Sequence, residues 1–164
     1  HACINRGDII RNTGIYHLIN VMGNYRIDRK KIWKTPTTLV LELFTKYHKG
    51  IILESKIKTN NFISPKLGKQ PIYKNNKMID AAVTKKNETY CISIVNKSEN
   101  KSVSVKLNNN LKITKTFTIN GSNKTDMNDY KNINKVKIKN NILKAKDNHV
   151  TIPAHSINMI LLRD

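Results

Sequence analysis

The stretch "VTIPAHSINMILL", residues 150–162, carries the signals that decide how this chain folds. On the two sides of Pro153, apolar residues alternate with polar or outward-facing ones, as in strands that bury one face: Val150, Ile152, Ile157, Met159 and Leu161. Proline cannot donate to a sheet ladder, so it is tolerated only at an edge, a bend or a bulge. The stretch therefore predicts two strand segments joined by a bend that contains His155 and Ser156.

The neighbouring pair His155 and Ser156 has the residue types of a nucleophilic site. A serine nucleophile needs a base that faces it and an acid that orients the base. Side chains of neighbouring strand residues point to opposite sides of the sheet. The sequence therefore predicts a structural role for this pair.

The same period of two runs through the chain from about residue 51 onward. The stretch "MIDAAVTKKNETYCISIVN", residues 78–96, alternates, turns through "KKNE" and alternates again, which is typical of a β-hairpin. Further alternating runs follow: "KSVSVKL" (101–107), "LKITKTFTI" (111–119) and "KVKIKNNILKA" (135–145). Short strands joined by polar turns predict a mainly β fold, an antiparallel β-sandwich over residues 51–164.

The first fifty residues follow a different pattern, and "KTPTTLVLELFTKYHKG" (34–50) is their clearest element. Thr35 is placed as the N-cap of a helix, Pro36 as its first residue and Gly50 just past its end. Apolar residues recur at spacings of three and four and form one stripe: Leu39, Val40, Leu43, Phe44 and Tyr47. We expect this stripe to be exposed in the isolated chain, which predicts poor solubility or a homo-oligomer.

Two further elements precede this helix. The stretch "CINRGDIIRNTG" (3–14) predicts a helix that stops at Gly14, and "IYHLINVM" (15–22) predicts a strand buried on both faces, as in a parallel sheet. One strand cannot make a parallel sheet. Its partners are expected upstream of His1, so the chain has the pattern of a piece of a longer protein.

The chain is strongly basic, with 30 Lys and Arg against 11 Asp and Glu and a formal net charge of +19. This balance suits a partner such as nucleic acid, an anionic membrane or an acidic polysaccharide. Lysine, asparagine and isoleucine are abundant together, and a bias toward A- and T-rich codons produces the same composition. The lysines are scattered and no nucleic-acid motif is present, so the sequence disfavours nucleic acid.

Other classes of site and partner lack support in the sequence. Cys3 and Cys91 are far apart and form no metal or redox motif, and His149 and His155 have no third ligand at metal spacing. The sequence therefore predicts neither a metal site nor a cofactor. No apolar stretch is long enough to cross a bilayer, so no membrane partner is expected.

Four stretches in this order resemble the C-terminal part of the α-L-arabinofuranosidases of glycoside hydrolase family fifty-one. They are "INRGDIIRNTGIYHLINVMGNY" (4–25), "KTPTTLVLELFTKYHKG" (34–50), "IDAAVTKKNETYCISIVNKSENKSVSVKL" (79–107) and "INKVKIKNNILKAKDNHVTIPAHSINMILL" (133–162). The resemblance covers essentially the whole chain. It implies a parent with a (β/α)8 barrel followed by a β-sandwich. Residues 1–50 would be the terminal helix-strand-helix piece of the barrel, and residues 51–164 the sandwich.

The resemblance also implies a reaction and its residues. The parent would release terminal arabinofuranosyl units from arabinose-containing oligosaccharides or polysaccharides with retention, which needs two carboxyl groups about 5 Å apart. In the family both are glutamates on earlier barrel strands, so this chain is expected to hold no catalytic residue and to be inactive alone. Its partner would be the upstream barrel.

At the position matching His17 some members place a polar side chain, often glutamine, against the arabinose, so His17 is the candidate substrate-binding residue. Nearby, Tyr25 and Trp33 are expected to pack under the loop rather than to stack on a sugar.

Two other functions compete with an accessory fragment of an arabinose-releasing enzyme. The first is a basic binding module for nucleic acid or acidic glycans, which would bind a polyanion with a steep salt dependence. The second is a carbohydrate-binding sandwich that acts on its own. It needs a row of exposed aromatic side chains, whereas Tyr90 and Phe117 fall on alternating core positions.

Overall fold

The structure, a computed structural model, describes residues 1–14, 17–21, 23–107, 111–146 and 148–163. These residues form two helices and thirteen strands. In chain order they are α1 (Ala2–Asn5), β1 (Tyr25–Asp28), β2 (Lys31–Lys34), α2 (Pro36–Tyr47), β3 (Ile51–Leu53), β4 (Asn61–Ser64), β5 (Tyr73–Lys77), β6 (Ile79–Lys86), β7 (Thr89–Asn96), β8 (Val103–Lys106), β9 (Lys112–Asn120), β10 (Lys137–Asn140), β11 (Ala145–Lys146), β12 (His149–Ile152) and β13 (Ser156–Arg163).

A six-stranded antiparallel sheet is the largest element of the fold, with the strand order β10-β9-β13-β7-β6-β3. The hairpin predicted over residues 78–96 is formed by β6 and β7, which turn at Asn87. Strand β13 lies in the interior of the sheet and pairs with β7 on one side and β9 on the other. The alternating run at the end of the quoted stretch is therefore the strand that joins the two halves of the sheet.

A second, three-stranded sheet with the order β11-β12-β8 faces the first. Apolar side chains from both sheets form one buried cluster: Ile79, Ala81, Ile94, Leu107, Val150, Ile152, Ile160 and Leu162. Strands β8 and β12 alternate, so they bury one face against the larger sheet and leave the other exposed. The prediction of a mainly β chain with an antiparallel sandwich is confirmed.

The predicted bend at Pro153 carries the chain from one sheet to the other, because β12 belongs to the smaller sheet and β13 to the larger. His155 adopts a positive φ of 36° there, and its backbone N–H donates to the carbonyl of Ser98 at 2.7 Å. The buried amide of Asn96 donates to the carbonyls of Ile152, at 3.3 Å, and Pro153, at 2.9 Å. The bend is thus fixed by bonds to the end of β7.

Helix α2 covers the opposite face of the six-stranded sheet, which makes a third layer. Leu39 and Leu43 of the helix are buried with sheet and loop residues in a second cluster: Cys91, Phe117, Ile119, Val136, Met159 and Leu161. The prediction that the helix stripe is exposed in this chain is therefore wrong. The reason is that β13 is apolar on both faces, with Met159 and Leu161 turned toward the helix.

The predicted helix over residues 3–14 is much shorter in the structure, where α1 covers only Ala2–Asn5. No side chain caps its N-terminus, and Ile9 and Ile10 beyond it are exposed. A short helix is marginal unless an apolar face packs against something. No described part of the chain covers these two isoleucines, so the helix ends early.

A strand is predicted over residues 15–22, but the described residues of this range, 17–21, do not form one. Residues 15, 16 and 22 lie outside the described residues, and between them only Ile19 forms a bridge, to Tyr25. Leu18 and Val21 are exposed. A buried parallel strand needs neighbours on both sides, and the described residues offer only the β1–β2 hairpin. The boundary at residue 50 stays a prediction, although α2 packs on strands that follow it.

The helices of the described residues are short, and the longer one, α2, has twelve residues. None of them combines the length and the apolar character that a bilayer-spanning helix requires.

Candidate functional site

The residues next to His17 are held against the β1–β2 hairpin by backbone hydrogen bonds. The N–H of Tyr25 donates to the carbonyl of Leu18 at 2.9 Å, and the N–H of Asn20 donates to the carbonyl of Tyr25 at 2.8 Å. The side-chain oxygen of Asn20 accepts from the N–H of Ile27 at 2.8 Å. Asn20 has a φ of 52°, a conformation that asparagine tolerates well. Asn20 therefore shapes this turn through backbone bonds.

His17 itself is half-buried and lies outside any strand. The apolar side chains that follow it are exposed, Leu18 by 61% and Val21 by 64%. Exposed apolar side chains in a group are typical of a surface that another part of a protein covers. Contact of His17 with a sugar, which the resemblance implies, stays a prediction.

Trp33 packs against the long loop between β9 and β10. Its indole N–H donates to the carbonyl of Asn128 at 2.9 Å, and its ring meets the ring of Tyr130 edge-on at 6.5 Å. The amide of Asn128 donates in turn to the carbonyl of Lys34 at 3.0 Å. Trp33 therefore packs as expected and ties the hairpin to the loop.

His155 and Ser156 serve the bend and are not bonded to each other in the structure. The ring nitrogens of His155 lie 2.8 Å from the carbonyl of Glu99 and 3.3 Å from that of Gly121. The hydroxyl of Ser156 is buried and donates to the carbonyl of Pro153 at 2.6 Å. The structural role predicted for this pair is confirmed.

Several carboxylates are bound to lysines and so lack the character of a catalytic pair. Among the described residues, three lysines pair with carboxylates: Lys34 with Glu42 at 2.5 Å, Lys124 with Glu99 at 2.5 Å, and Lys135 with Asp126 at 2.9 Å. The hydrogen bond from Lys135 lowers the pKa of Asp126, which opposes a role as a general acid. Retention requires one carboxyl group that can donate a proton, and each of these three carboxylates is engaged with a lysine instead.

A buried polar network beneath α2 was not found by sequence reasoning. The hydroxyl of Ser93 lies 2.7 Å from Nε2 of His1 and 2.7 Å from Nε2 of His48. Nδ1 of His48 lies 3.1 Å from the hydroxyl of Thr84. Nδ1 of His1 lies 3.2 Å from a carboxylate oxygen of Asp80. The sequence gives only a weak local signal for this network, a hydroxyl residue at an inward-facing position of each of two paired strands, β6 and β7.

This network contains serine, histidine and aspartate, but its burial rules out a nucleophilic site. Ser93 is fully buried in an interior strand, so no substrate can reach its hydroxyl. Burial lowers the pKa of His48 to about 4, with a smaller contribution from the amino terminus. A neutral His48 can donate from Nε2 to Ser93 and accept at Nδ1 from Thr84. The network therefore joins α1 and α2 to the sheet.

The comparisons with known proteins agree with this architecture. The model of a family described as "Alpha-L-arabinofuranosidase C-terminal domain" matches residues 1–156. The chain belongs to this family. Comparison with curated protein sequences finds no match.

Solved α-L-arabinofuranosidases share the fold of this C-terminal domain. The enzyme of Thermotoga maritima, in complex with arabinose, aligns with a TM-score of 0.84 at 17% identity, over 98% of this chain and 35% of that one. The family 51 enzyme of Bifidobacterium longum gives 0.84 at 16% identity, over 98% and 32%. The thermostable enzyme of Thermotoga petrophila gives 0.82 at 18% identity, over 94% and 34%. The chain thus spans about a third of the length of these structures.

Within the described part of this α-L-arabinofuranosidase C-terminal domain, no cluster of three or more His, Cys, Asp or Glu side chains has the arrangement of a metal site. Both cysteines are free thiols, Cys3 exposed and Cys91 buried. Burial raises the pKa of the Cys91 thiol to about 12, so the reactive thiolate is disfavoured. Cys91 contributes apolar contacts in the cluster under α2.

Proposed function

We propose that this chain is the accessory, C-terminal part of a retaining α-L-arabinofuranosidase, in which it closes and supports a catalytic barrel. The observation that carries the proposal is the alignment of 98% of the chain with 35% of an arabinofuranosidase structure. The catalytic activity would then reside in the part of the longer protein that this chain does not cover. The substrates would be glycans with terminal arabinofuranosyl units.

The distribution of exposed apolar side chains supports this role. Large apolar residues of the opening segment and the hairpin are exposed: Ile9, Ile10, Leu18, Ile19, Val21, Ile27 and Ile32. A folded chain that stands alone rarely leaves so many large apolar side chains in one part of the sequence uncovered. A barrel that precedes this segment would cover them and would supply the strand neighbours that residues 17–21 lack.

The proposal is tested by comparing this chain with the longer protein encoded by the same gene on a chromogenic α-L-arabinofuranoside. We expect the longer protein to release the chromophore with retention, read by NMR from the anomer formed first. The chain from His1 alone is expected to give no turnover, because two suitably placed carboxyl groups are required. Turnover by the short chain, or none by the longer protein, would contradict the proposal.

Within this proposal His17 contacts the arabinose. We expect His17→Ala in the longer protein to lower kcat/KM about tenfold, the effect of losing one good hydrogen bond to a substrate. The conservative change His17→Gln, which introduces the amide that the family resemblance implies at this position, should retain most of the activity. Both variants should keep the melting temperature of the parent. Equal kcat/KM for parent and His17→Ala would remove His17 from the site.

A further inference from the structure

The outer face of the three-stranded sheet carries two lysines with a histidine between them. Lys106 of β8, His149 of β12 and Lys146 of β11 lie opposite one another in the strand register. All three are exposed, whereas Val150 and Ile152 of the same β12 are buried against the other sheet. The alternation of the strands thus places the two lysines and the histidine together on the side away from the core.

A second row beside the first adds hydroxyl groups and another lysine. Ser104 lies opposite Thr151, and the N–H of Thr151 donates to the carbonyl of Lys144 at 2.9 Å. A shallow depression of about 420 Å³ lies on this face, lined by Ser104, Lys144, Ala145, Lys146, His149 and Thr151. Cations and hydroxyl groups therefore share one concave surface.

The positive charge of this face is not neutralised by the carboxylates that the structure describes. None of the ion pairs of the described residues includes Lys106, Lys144 or Lys146. In the sequence from 130 to 163 the one acidic residue is Asp147, which lies outside the described residues. Lys106 and Lys146 lie two strands apart on the same face, so their mutual repulsion is weaker than that of directly opposed charges. An anionic ligand would relieve this repulsion.

We propose that this face binds an acidic polysaccharide, with the lysines on its carboxylates and Ser104 and Thr151 on its hydroxyl groups. Neighbouring strands are about 4.8 Å apart, so Lys106 and Lys146 are separated by about 10 Å at their backbones, on the scale of a disaccharide. No Phe, Tyr or Trp side chain lines the depression, and its single ring is the imidazole of His149. Single-stranded nucleic acid is held by stacking on aromatic rings, which this face does not offer.

The choice of a polysaccharide rests on the proposed function, whereas binding of a polyanion to this face does not. In an arabinose-releasing enzyme, the surface would hold an acidic glycan that carries arabinose side chains. Binding is measured without hydrolysis on the 164-residue chain, so a negative result here is separate from a negative activity assay.

The test is titration of the chain with sodium polygalacturonate, with neutral arabinan, poly-L-glutamate and a single-stranded oligonucleotide as comparison ligands. The variant Lys106→Gln/Lys144→Gln/Lys146→Gln removes three cations from the face. The matched control Lys66→Gln/Lys69→Gln/Lys74→Gln removes three exposed cations near the β4–β5 hairpin. Melting curves verify that both variants fold.

We expect the variant in the face to lose at least about tenfold in affinity for polygalacturonate and to show a shallower salt dependence. The control should change by less than about threefold. Polygalacturonate should bind more tightly than poly-L-glutamate, because only the sugar offers hydroxyl groups to Ser104 and Thr151. Equal losses in both variants would overturn the proposal by showing diffuse charge. Tighter binding of the oligonucleotide at the same lysines would overturn the choice of a polysaccharide.

Discussion

Replacing Leu43 with alanine is expected to lower the free energy of unfolding of this chain by about 2–5 kcal/mol. Leu43 lies on α2, is only 3% exposed and is buried with Met159 and Leu161 of β13. Truncation removes apolar contacts and leaves a cavity between helix and sheet. Urea unfolding followed by circular dichroism measures the change.

Leu41→Ala is the matched control on the same helix. Leu41 is only partly buried and lies outside both apolar clusters, so its truncation should cost less than about 1.5 kcal/mol. Equal effects of the two variants would mean that α2 does not pack on the sheet in solution. In that case the helix would belong with another part of a longer protein, and the three-layer arrangement would be wrong.

Acidification is expected to weaken the fold through His48, whose pKa is lowered from 6.5 to about 4 chiefly by burial. The folded state favours the neutral ring, so the contribution of His48 is complete above about pH 6.5 and is lost as the pH falls toward 4. The full linkage of such a shift is about 3 kcal/mol. Because the ring is partly exposed, we expect about 1–2 kcal/mol.

The measurement is the free energy of unfolding at several pH values between about 4 and 7.5, for the parent and for His48→Asn. His1 and Asp80 are present in both proteins, so the difference between the two curves isolates His48. The parent should lose stability relative to the variant on acidification. Parallel curves would show that His48 is already solvated in the folded chain. In a longer protein His1 would carry no amino terminus, but burial, the larger cause of the lowered pKa of His48, would remain.

The strands could be predicted because their signal is local. Alternation in "TYCISIVN" and "SINMILL" predicts the strands. Pro153 predicts the bend, because proline cannot donate to a sheet ladder. Helix α2 could be predicted because Pro36 marks its start. The elements that cover this helix could not be predicted, because an apolar stripe indicates that something covers the helix but not which element. The packing of Met159 and Leu161 against the stripe is seen only in the folded structure.

The opening segment was predicted less well for a related reason. The run of residues 15–22 has the composition of a buried strand, but a strand exists only where neighbours accept its hydrogen bonds. The β1–β2 hairpin was missed because "YRID" and "KIWK" are short and highly charged. The network of Ser93, His48 and His1 joins residues far apart in sequence, so no local spacing could have predicted it.

The placement of β13 has a consequence for the newly made polypeptide. The strand that comes after all the others described is the one that separates β7 from β9. Until residues 156–163 have been synthesised, the strands on either side of this position form two half-sheets with open edges, and such edges invite pairing with other chains. The six-stranded sheet can therefore close only after β13 has been inserted between strands that were made before it.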